Sequence, residues 1–390
     1  MLKVALDRHR ILMLKNKIYK YLSREIFTNF VTILLTFTAI AWTVRAVNFL
    51  DLMIIDGYSA SIYFKYTLLN ISTIITRFVP LSFLLSMIIA ISKFERQQEL
   101  MILWTAGLNK INITNLFLLI SFVVVFIQIV LGLIINPFSL NKSRTLLRES
   151  EIQQVGSILK SGDFSDSFDG ITFYIDKKNL QNELINIFIQ DNNGSLKTIV
   201  SEAGNAANTT IYAKKGFVDN NKLILFNGTI QTLSKKNEID NIDFKKTELS
   251  IDNFSTRTIK QPKIQETSSY DLFQCLFGSS KNRIIQNCNI ENKSIVIETL
   301  SRRIGMPLYI PLISIISSFL LIYKKEKKYN YLKKYFVFSL AFLFLIFAEI
   351  FLRYTGFAFI NFFLYLTAPL LLFVFFYFLL IKNISYEGKI

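Results

Sequence analysis

The sequence is poor in the residues that most often carry enzymatic chemistry. It has one histidine, His9, and two cysteines, Cys275 and Cys288, among 390 residues. So small a supply argues against a zinc site built from several His and Cys ligands. It also excludes a histidine-based catalytic triad unless His9, which lies in a basic tail, takes part. No G-x-x-x-x-G-K-[ST] phosphate loop occurs; Gly278-Ser279-Ser280-Lys281 is only a fragment of one. Any ATP hydrolysis must therefore come from another polypeptide. Acidic residues are scarce as well, 28 against 44 Lys and Arg, for a net charge of +16. A basic surplus can mean nucleic acid, but its distribution opposes that. Residues 136–300 hold 20 basic and 19 acidic side chains and are nearly neutral. The surplus flanks apolar runs, where anionic lipid and membrane insertion account for it, so no nucleic-acid partner is expected.

What the chain has in abundance is apolar sequence: 52% hydrophobic residues, with 37 Phe. Chains built of bilayer spans have this composition and soluble domains rarely do. Six apolar runs stand out, at about 26–50, 66–92, 113–135, 304–323, 335–352 and 359–381. Each is near the roughly 20 residues that a helix needs to cross hydrocarbon. The first is too long for a signal-peptide core and lacks a clear small-residue cleavage site, so it reads as an uncleaved span. Ile18, Tyr21, Leu22 and Ile26 recur at helical spacing ahead of it, as in an amphipathic approach along a membrane surface. Pro80, Pro307, Pro311 and Pro369 fall within spans, where they are tolerated and mark kinks.

The polar stretch 136–300 separates three runs from three. Residues 136–165 lead from the membrane and show little strand signal. Short strand-like runs follow at 171–175, 184–189, 197–200, 209–213, 223–226 and 229–233. Asp191-Asn192-Asn193-Gly194 and Phe226-Asn227-Gly228 punctuate them as turns. Such spacing predicts an antiparallel β-domain, a sandwich or jelly roll. The expected organisation is residues 1–135 with spans one to three, 136–300 as a β-domain, and 301–390 with spans four to six. Ile171, Phe173 and Ile175 alternate with polar neighbours, as do Ile185, Ile187 and Ile189. A short helix is expected near Asp271–Phe277, ended by Gly278. In an oxidising compartment Cys275 and Cys288 either form a disulfide or remain two unpaired thiols.

Lys and Arg set the orientation. With the N-terminus inside, the inner segments 1–27, 93–110, 324–334 and 382–390 carry 18 basic residues. The short outer segments 51–65 and 355–361 carry only Lys65. The positive-inside rule then places both termini in the cytoplasm and 136–300 outside. Charges inside spans are costly unless solvated or paired. Arg45 lies near the outer end of span one and reads either as a lipid-phosphate contact or as an interfacial anchor. Arg77 in span two has no evident partner in the sequence. Arg302 and Arg303 begin span four at the outer face, near Glu298. Glu349 and Arg353 stand at i, i+4 on span five, where they can pair.

The inner loop between spans two and three, 93–108, has a helical pattern with Gly107 as a C-terminal stop. Glu95, Glu99, Ile102 and Ala106 fall on one face, acidic at one end and apolar at the other. Such a face suits a partner's groove with basic and hydrophobic walls; otherwise it is a helix lying on the membrane with solvated carboxylates.

From Arg45 to Lys110 the chain resembles the LptF/LptG permease family of the lipopolysaccharide export ABC transporter. The features that match are Arg45 to Leu52, Asp56-Gly57, Pro80-Leu81, and Glu99 followed by Ala106-Gly107-Leu108. The β-domain and Ile297-Glu298-Thr299-Leu300-Ser301-Arg302-Arg303-Ile304 extend the likeness over nearly the whole chain. The Arg45 and Asp56-Gly57 region is more LptF-like than LptG-like, and Met13 is an alternative start to Met1. The resemblance implies six transmembrane α-helices (3+3) in the inner membrane of a Gram-negative envelope, with an inserted periplasmic jelly-roll-like domain. It implies an LptG-like permease partner, an LptB-like ATPase dimer, an LptC-like single-span bridge protein with an onward periplasmic β-bridge, and lipopolysaccharide as cargo. No cofactor is implied. Glu95, Glu99, Ile102, Ala106 and Gly107 would couple to the ATPase, and Arg45, Arg302 and Arg303 would meet lipid phosphates. Ile171, Phe173, Ile175, Ile187 and Ile189 would line a groove for acyl chains. From a different class, an envelope mechanotransducer or sensory protein of the FtsX or MacB kind shares the layout of spans around an outer domain. A membrane transferase is a third reading, without a convergent acid–base set to support it.

Overall fold

A computed structural model describes residues 2–54, 58–153, 162, 164–168, 170–179, 183–192, 206–219, 222–234, 239–250, 263–277, 293–322 and 327–387. Two compact units make up the chain. One is helical and comprises 1–44, 70–140 and 263–390; the other comprises 45–69 and 141–262.

Among the described residues six helices are long and apolar enough to cross a membrane: Lys17–Ile54, Ala60–Arg96, Lys110–Arg148, Lys293–Leu321, Leu332–Tyr354 and Phe359–Tyr386. The first belongs mainly to α1, Leu2–Asn48, so the amphipathic approach and span one form one unbroken helix. Short helices α2 (Asp51–Ile54) and α3 (Ala60–Leu69) precede α4, Ile71–Arg96, which accommodates Pro80. Leu22, Ile26 and Phe30 of α1, spaced by one helical turn, are buried in the same core as Val79, Phe83, Met87 and Phe94 of α4.

Span three continues past its apolar run. Helix α6, Lys110–Val130, widens into a π-turn at Leu131–Ile135 and resumes as α7, Asn136–Gln153. The polar leader expected from residue 136 is therefore helical to Gln153. Pro137 accounts for the π-turn. It has no N–H to give the carbonyl four residues back, Leu133, and its ring crowds that turn. The Leu133 carbonyl instead accepts a hydrogen bond from Ser269 Oγ at 2.8 Å.

Span four starts earlier than its apolar run. It is built from α9 (Lys293–Ile304), a 3-10 turn at Met306–Leu308, and α10 (Tyr309–Ser318). Helix α8, Ser269–Phe277, precedes it and packs Leu272 against Val296 and Leu300. Every residue of α10 is buried, Ser314, Ser317 and Ser318 included. Small side chains let neighbouring helices approach closely where lipid supplies no hydrophobic drive. Helices α11 (Lys327–Tyr354) and α12 (Phe359–Glu387) form spans five and six. Gly305 lies against α12, and a Cβ there would sit 2.4 Å from the Tyr365 ring.

Among its described residues the other unit holds one antiparallel sheet of six strands in sequential order: β1 Phe164–Phe168, β2 Ile171–Lys178, β3 Leu184–Asp191, β4 Ala206–Asp219, β5 Lys222–Ser234 and β6 Ile239–Ser250. Strand β1 was not evident in the sequence, because Phe164-Ser165-Asp166-Ser167-Phe168 lacks a β-branched residue. The expected run at 197–200 lies outside the described residues. The expected turn at Asn227-Gly228 is instead the interior of β5, where Asn227 adopts φ 51°.

That residue belongs to a line across the sheet. Asn186 of β3 also has φ 53°. The register pairs Ile185 with Lys215 and Lys215 with Phe226, so Asn186, Lys214 and Asn227 stand side by side. Burial reverses phase along this line. In β3 it passes from Leu184 to Ile187 and Ile189, in β4 from Ile211 and Ala213 to Gly216, and in β5 from Leu223 and Leu225 to Gly228 and Ile230. Asparagine reaches the left-handed region more readily than most side chains and so supports such a crease. The inward rows of all these strands then converge on one core. Gly228 is required there, because a Cβ would lie 2.1 Å from the Tyr212 carbonyl oxygen and 2.5 Å from the Phe244 ring. Gly228→Ala is expected to destabilise the sheet by about 1–3 kcal/mol. Faster amide exchange in β4 to β6 of the purified full-length chain would register this, and unchanged exchange would refute it.

Candidate functional site

The helical pattern over 93–108 is two helices, not one. Helix α4 ends at Arg96, Gln98 takes φ 58°, and α5 runs Glu99–Thr105. Glu95 and Glu99 thus stand on different helices and do not share a face. Gly107 ends α5 with φ 83°. The Leu108 N–H donates to the Leu103 carbonyl and the Gly107 N–H to that of Trp104, each at 3.1 Å, the paired bonds of a Schellman stop. Leu100 is buried and Leu103 and Trp104 pack on the helical core. Met101 and Ile102 remain 51% and 64% exposed, beside exposed Ala106 and Gly107.

Both loop carboxylates are engaged within the chain. Glu95 Oε2 pairs with Lys334 Nζ of α11 at 2.9 Å. Glu99 Oε1 accepts from the Tyr21 hydroxyl of α1 at 3.1 Å. Lys93 of α4 pairs with Glu25 of α1. Lys110 Nζ lies 5.6 Å from the centre of the Trp104 ring, within range of a cation–π contact. Tyr21 and Lys334 were missed as site residues. Tyr21 read as part of an amphipathic stripe, and Lys334 as one charge in a basic loop.

At the other end of the spans, Arg302 and Arg303 have separate roles. Arg302 bonds Glu349 of α11 at 2.7 Å and lies 4.0 Å from Glu298. Glu349 is therefore paired across helices, and the expected pair with Arg353 is replaced. Arg353 lines a shallow surface depression with Glu349, Ile350, Tyr354 and Phe357. Arg303 is 7% exposed. It donates to Ser269 Oγ at 2.7 Å and to the carbonyls of Gln265 and Thr267 at 2.9 and 3.1 Å. This corrects the expectation of a headgroup contact: Arg303 holds the chain 265–269, and through Ser269 the π-turn carbonyl of Leu133. Its position one residue after Arg302 turns it from the half-exposed side of α9 to the packed side.

Arg45 is half-buried near the end of α1, and Arg77 is exposed on α4. Beside Arg45, the Tyr63 hydroxyl of α3 donates to the Ala46 carbonyl at 2.8 Å, and Phe49 meets Tyr66 edge to face at 5.0 Å. In the β-unit, Ile171, Phe173, Ile175, Ile187 and Ile189 are at most 1% exposed and pack against one another. Cys275 lies on α8, while Cys288 falls outside the described residues. Among the described residues no cluster of three His, Cys, Asp or Glu side chains is arranged to hold a metal.

Ser269→Ala would strip the part-buried Leu133 carbonyl of its donor and Arg303 of an acceptor. The expected loss is about 1–3 kcal/mol, read as a lower unfolding temperature in detergent and recovered by Ser269→Thr. An unchanged temperature would show that other groups satisfy both atoms.

A search of curated proteins finds no match to the chain. The family model described as lipopolysaccharide export system permease LptF/LptG matches residues 20–383. That match takes in all six spans and the inserted antiparallel sheet, and the chain belongs to the LptF/LptG family of lipopolysaccharide export permeases.

Proposed function

We propose that this chain is the LptF-type subunit of a lipopolysaccharide-extracting ABC transporter, paired with an LptG-like permease. Both termini face the cytoplasm and the β-domain faces the periplasm. An LptB-like ATPase dimer supplies the energy through the loop between spans two and three. Lipopolysaccharide leaves the outer leaflet of the inner membrane through a cavity between the two permeases. Its acyl chains then pass to the β-domain and on to an LptC-like bridge. The observation that carries this reading is helix α5. In a chain of this family it presents an apolar tip, Met101 and Ile102, next to Ala106 and Gly107. A groove with hydrophobic walls would receive that tip.

Other observations support the reading. Spans one and six are the least enclosed, with 11% and 17% of their most apolar stretches buried against 72% for span four. Their open faces suit lipid and a partner permease. Arg45 and Arg302 are the proposed lipid-phosphate contacts. The apolar rows of β2 and β3 would have to part to admit an acyl chain, since they pack closed here. Strand β6 is a sheet edge of 12 residues against five in β1. It is the proposed site of strand addition by the bridge protein.

A second reading rests on that same packed interior: an envelope mechanotransducer needs no groove. Photo-crosslinkable residues at Phe173 and Ile189 of the intact assembly separate the two. Capture of lipopolysaccharide is expected, and its absence at both positions, with cargo present elsewhere in the complex, would favour the mechanotransducer. Glu99→Lys is expected to lower the amount of copurifying ATPase, because it breaks the bond from Tyr21 and places a cation beside Met101 and Ile102. Unchanged ATPase stoichiometry and activity would count against the coupling role of α5.

A further inference from the structure

We propose that Tyr21, Glu25, Lys93, Glu95, Glu99 and Lys334 are positioning residues for transport. They form a clamp that fastens the loop helix to the foot of span one and the adjoining end of α4 to the feet of spans one and five, so that force applied at α5 moves both. The proposal rests on the reading of α5 as the ATPase contact and names the residues that would carry its motion onward.

Helix α5 has only seven residues and is flanked by two left-handed joints, Gln98 at φ 58° and Gly107 at φ 83°. A segment so bounded can pivot at each end and transmits little unless its surroundings restrain it. Burial of Leu100 gives one restraint. Of the three polar links, each joining a different pair of helices, one reaches α5 itself and two fix the end of α4 from which it hangs. Tyr21 ties α1 to α5 through Glu99, Glu25 ties α1 to α4 through Lys93, and Lys334 ties α11 to α4 through Glu95. The two ion pairs are partly withdrawn from solvent. Glu25 and Lys93 are 22% and 34% exposed, and Glu95 and Lys334 are 24% and 25% exposed. They are therefore screened less than fully exposed pairs. Glu25 and Glu95 each have a cation, Lys93 and Lys334, while Glu99 is held by the neutral Tyr21 hydroxyl. Glu95 is thus spent on span five and is not a direct contact to the ATPase. The two helices clamped to α4, α1 and α11, are also weakly enclosed, with 11% and 28% of their apolar stretches buried. Helices with so few fixed neighbours can shift with the least disturbance to the core.

The test is a charge reversal within the purified complex, with Glu95→Lys, Lys334→Glu and the double exchange compared. Spin labels carried on noncanonical residues at exposed positions 105 and 336 report the distance between α5 and the foot of span five. The parent protein should give one narrow distance distribution. Each single variant should broaden it and release less lipopolysaccharide per ATP hydrolysed, while retaining the ATPase. The double exchange should restore both readouts. Narrow distributions in the single variants, or a double exchange that restores nothing, would overturn the clamp. So would loss of the ATPase in Glu95→Lys alone, which would make Glu95 a direct contact. A parent preparation that holds neither ATPase nor lipopolysaccharide would sink the functional reading instead. The label distances in the chain by itself would still decide the clamp.

Discussion

Hydrocarbon gives a backbone amide or carbonyl nothing to bond to, and most of the helical unit follows from that constraint. It makes long unbroken helices of the apolar runs. It also dictates what happens where a helix is interrupted. Pro137 leaves the Leu133 carbonyl unserved, and a serine from a segment more than a hundred residues later supplies the missing donor. That serine is in turn fixed by Arg303, whose guanidinium closes three bonds within the protein. A buried cation so placed would be costly if any one of these acceptors were absent. The proline, the serine and the arginine are best understood as one unit, assembled to repair one peptide group.

The spans and the β-insertion were legible because hydrophobicity over 20 residues and alternation over five are strong, local signals. Helix ends were less so. Span three runs on to Gln153 and span four begins at Lys293, because polar residues such as Asn141, Lys142 and Lys293 do not oppose a helix once its neighbours support it. The break at Gln98 left no mark, since glutamine is an ordinary helix former and its left-handed backbone is set by packing on both sides. The pairing of Glu349 illustrates a further limit. Spacing of four along one helix made Arg353 its natural partner, but Arg302 on another helix lies closer, and no pattern within a single strand of sequence conveys that.

The charged loop end shows how the same residues serve two descriptions. Read along the chain, Glu95 and Glu99 are an acidic patch offered to a partner. In the folded protein each meets a donor from another span, and what faces outward is methionine and isoleucine. Partly exposed pairs of this kind add little to stability, of order 0–1 kcal/mol each. Their value lies in geometry, since they fix the angle at which a short apolar tip is presented.

The crease through Asn186, Lys214 and Asn227 has a bearing on how such a β-insert can vary. On one side of it a strand commits its odd-numbered positions to the interior, and on the other its even-numbered positions, or the reverse. Gain or loss of a single residue would ordinarily turn a strand inside out. At the fold line the strand has already changed its parity, so a residue gained or lost there would undo that change and turn one panel outward. The two panels keep their lipophilic faces together only while the number of residues across that line is held.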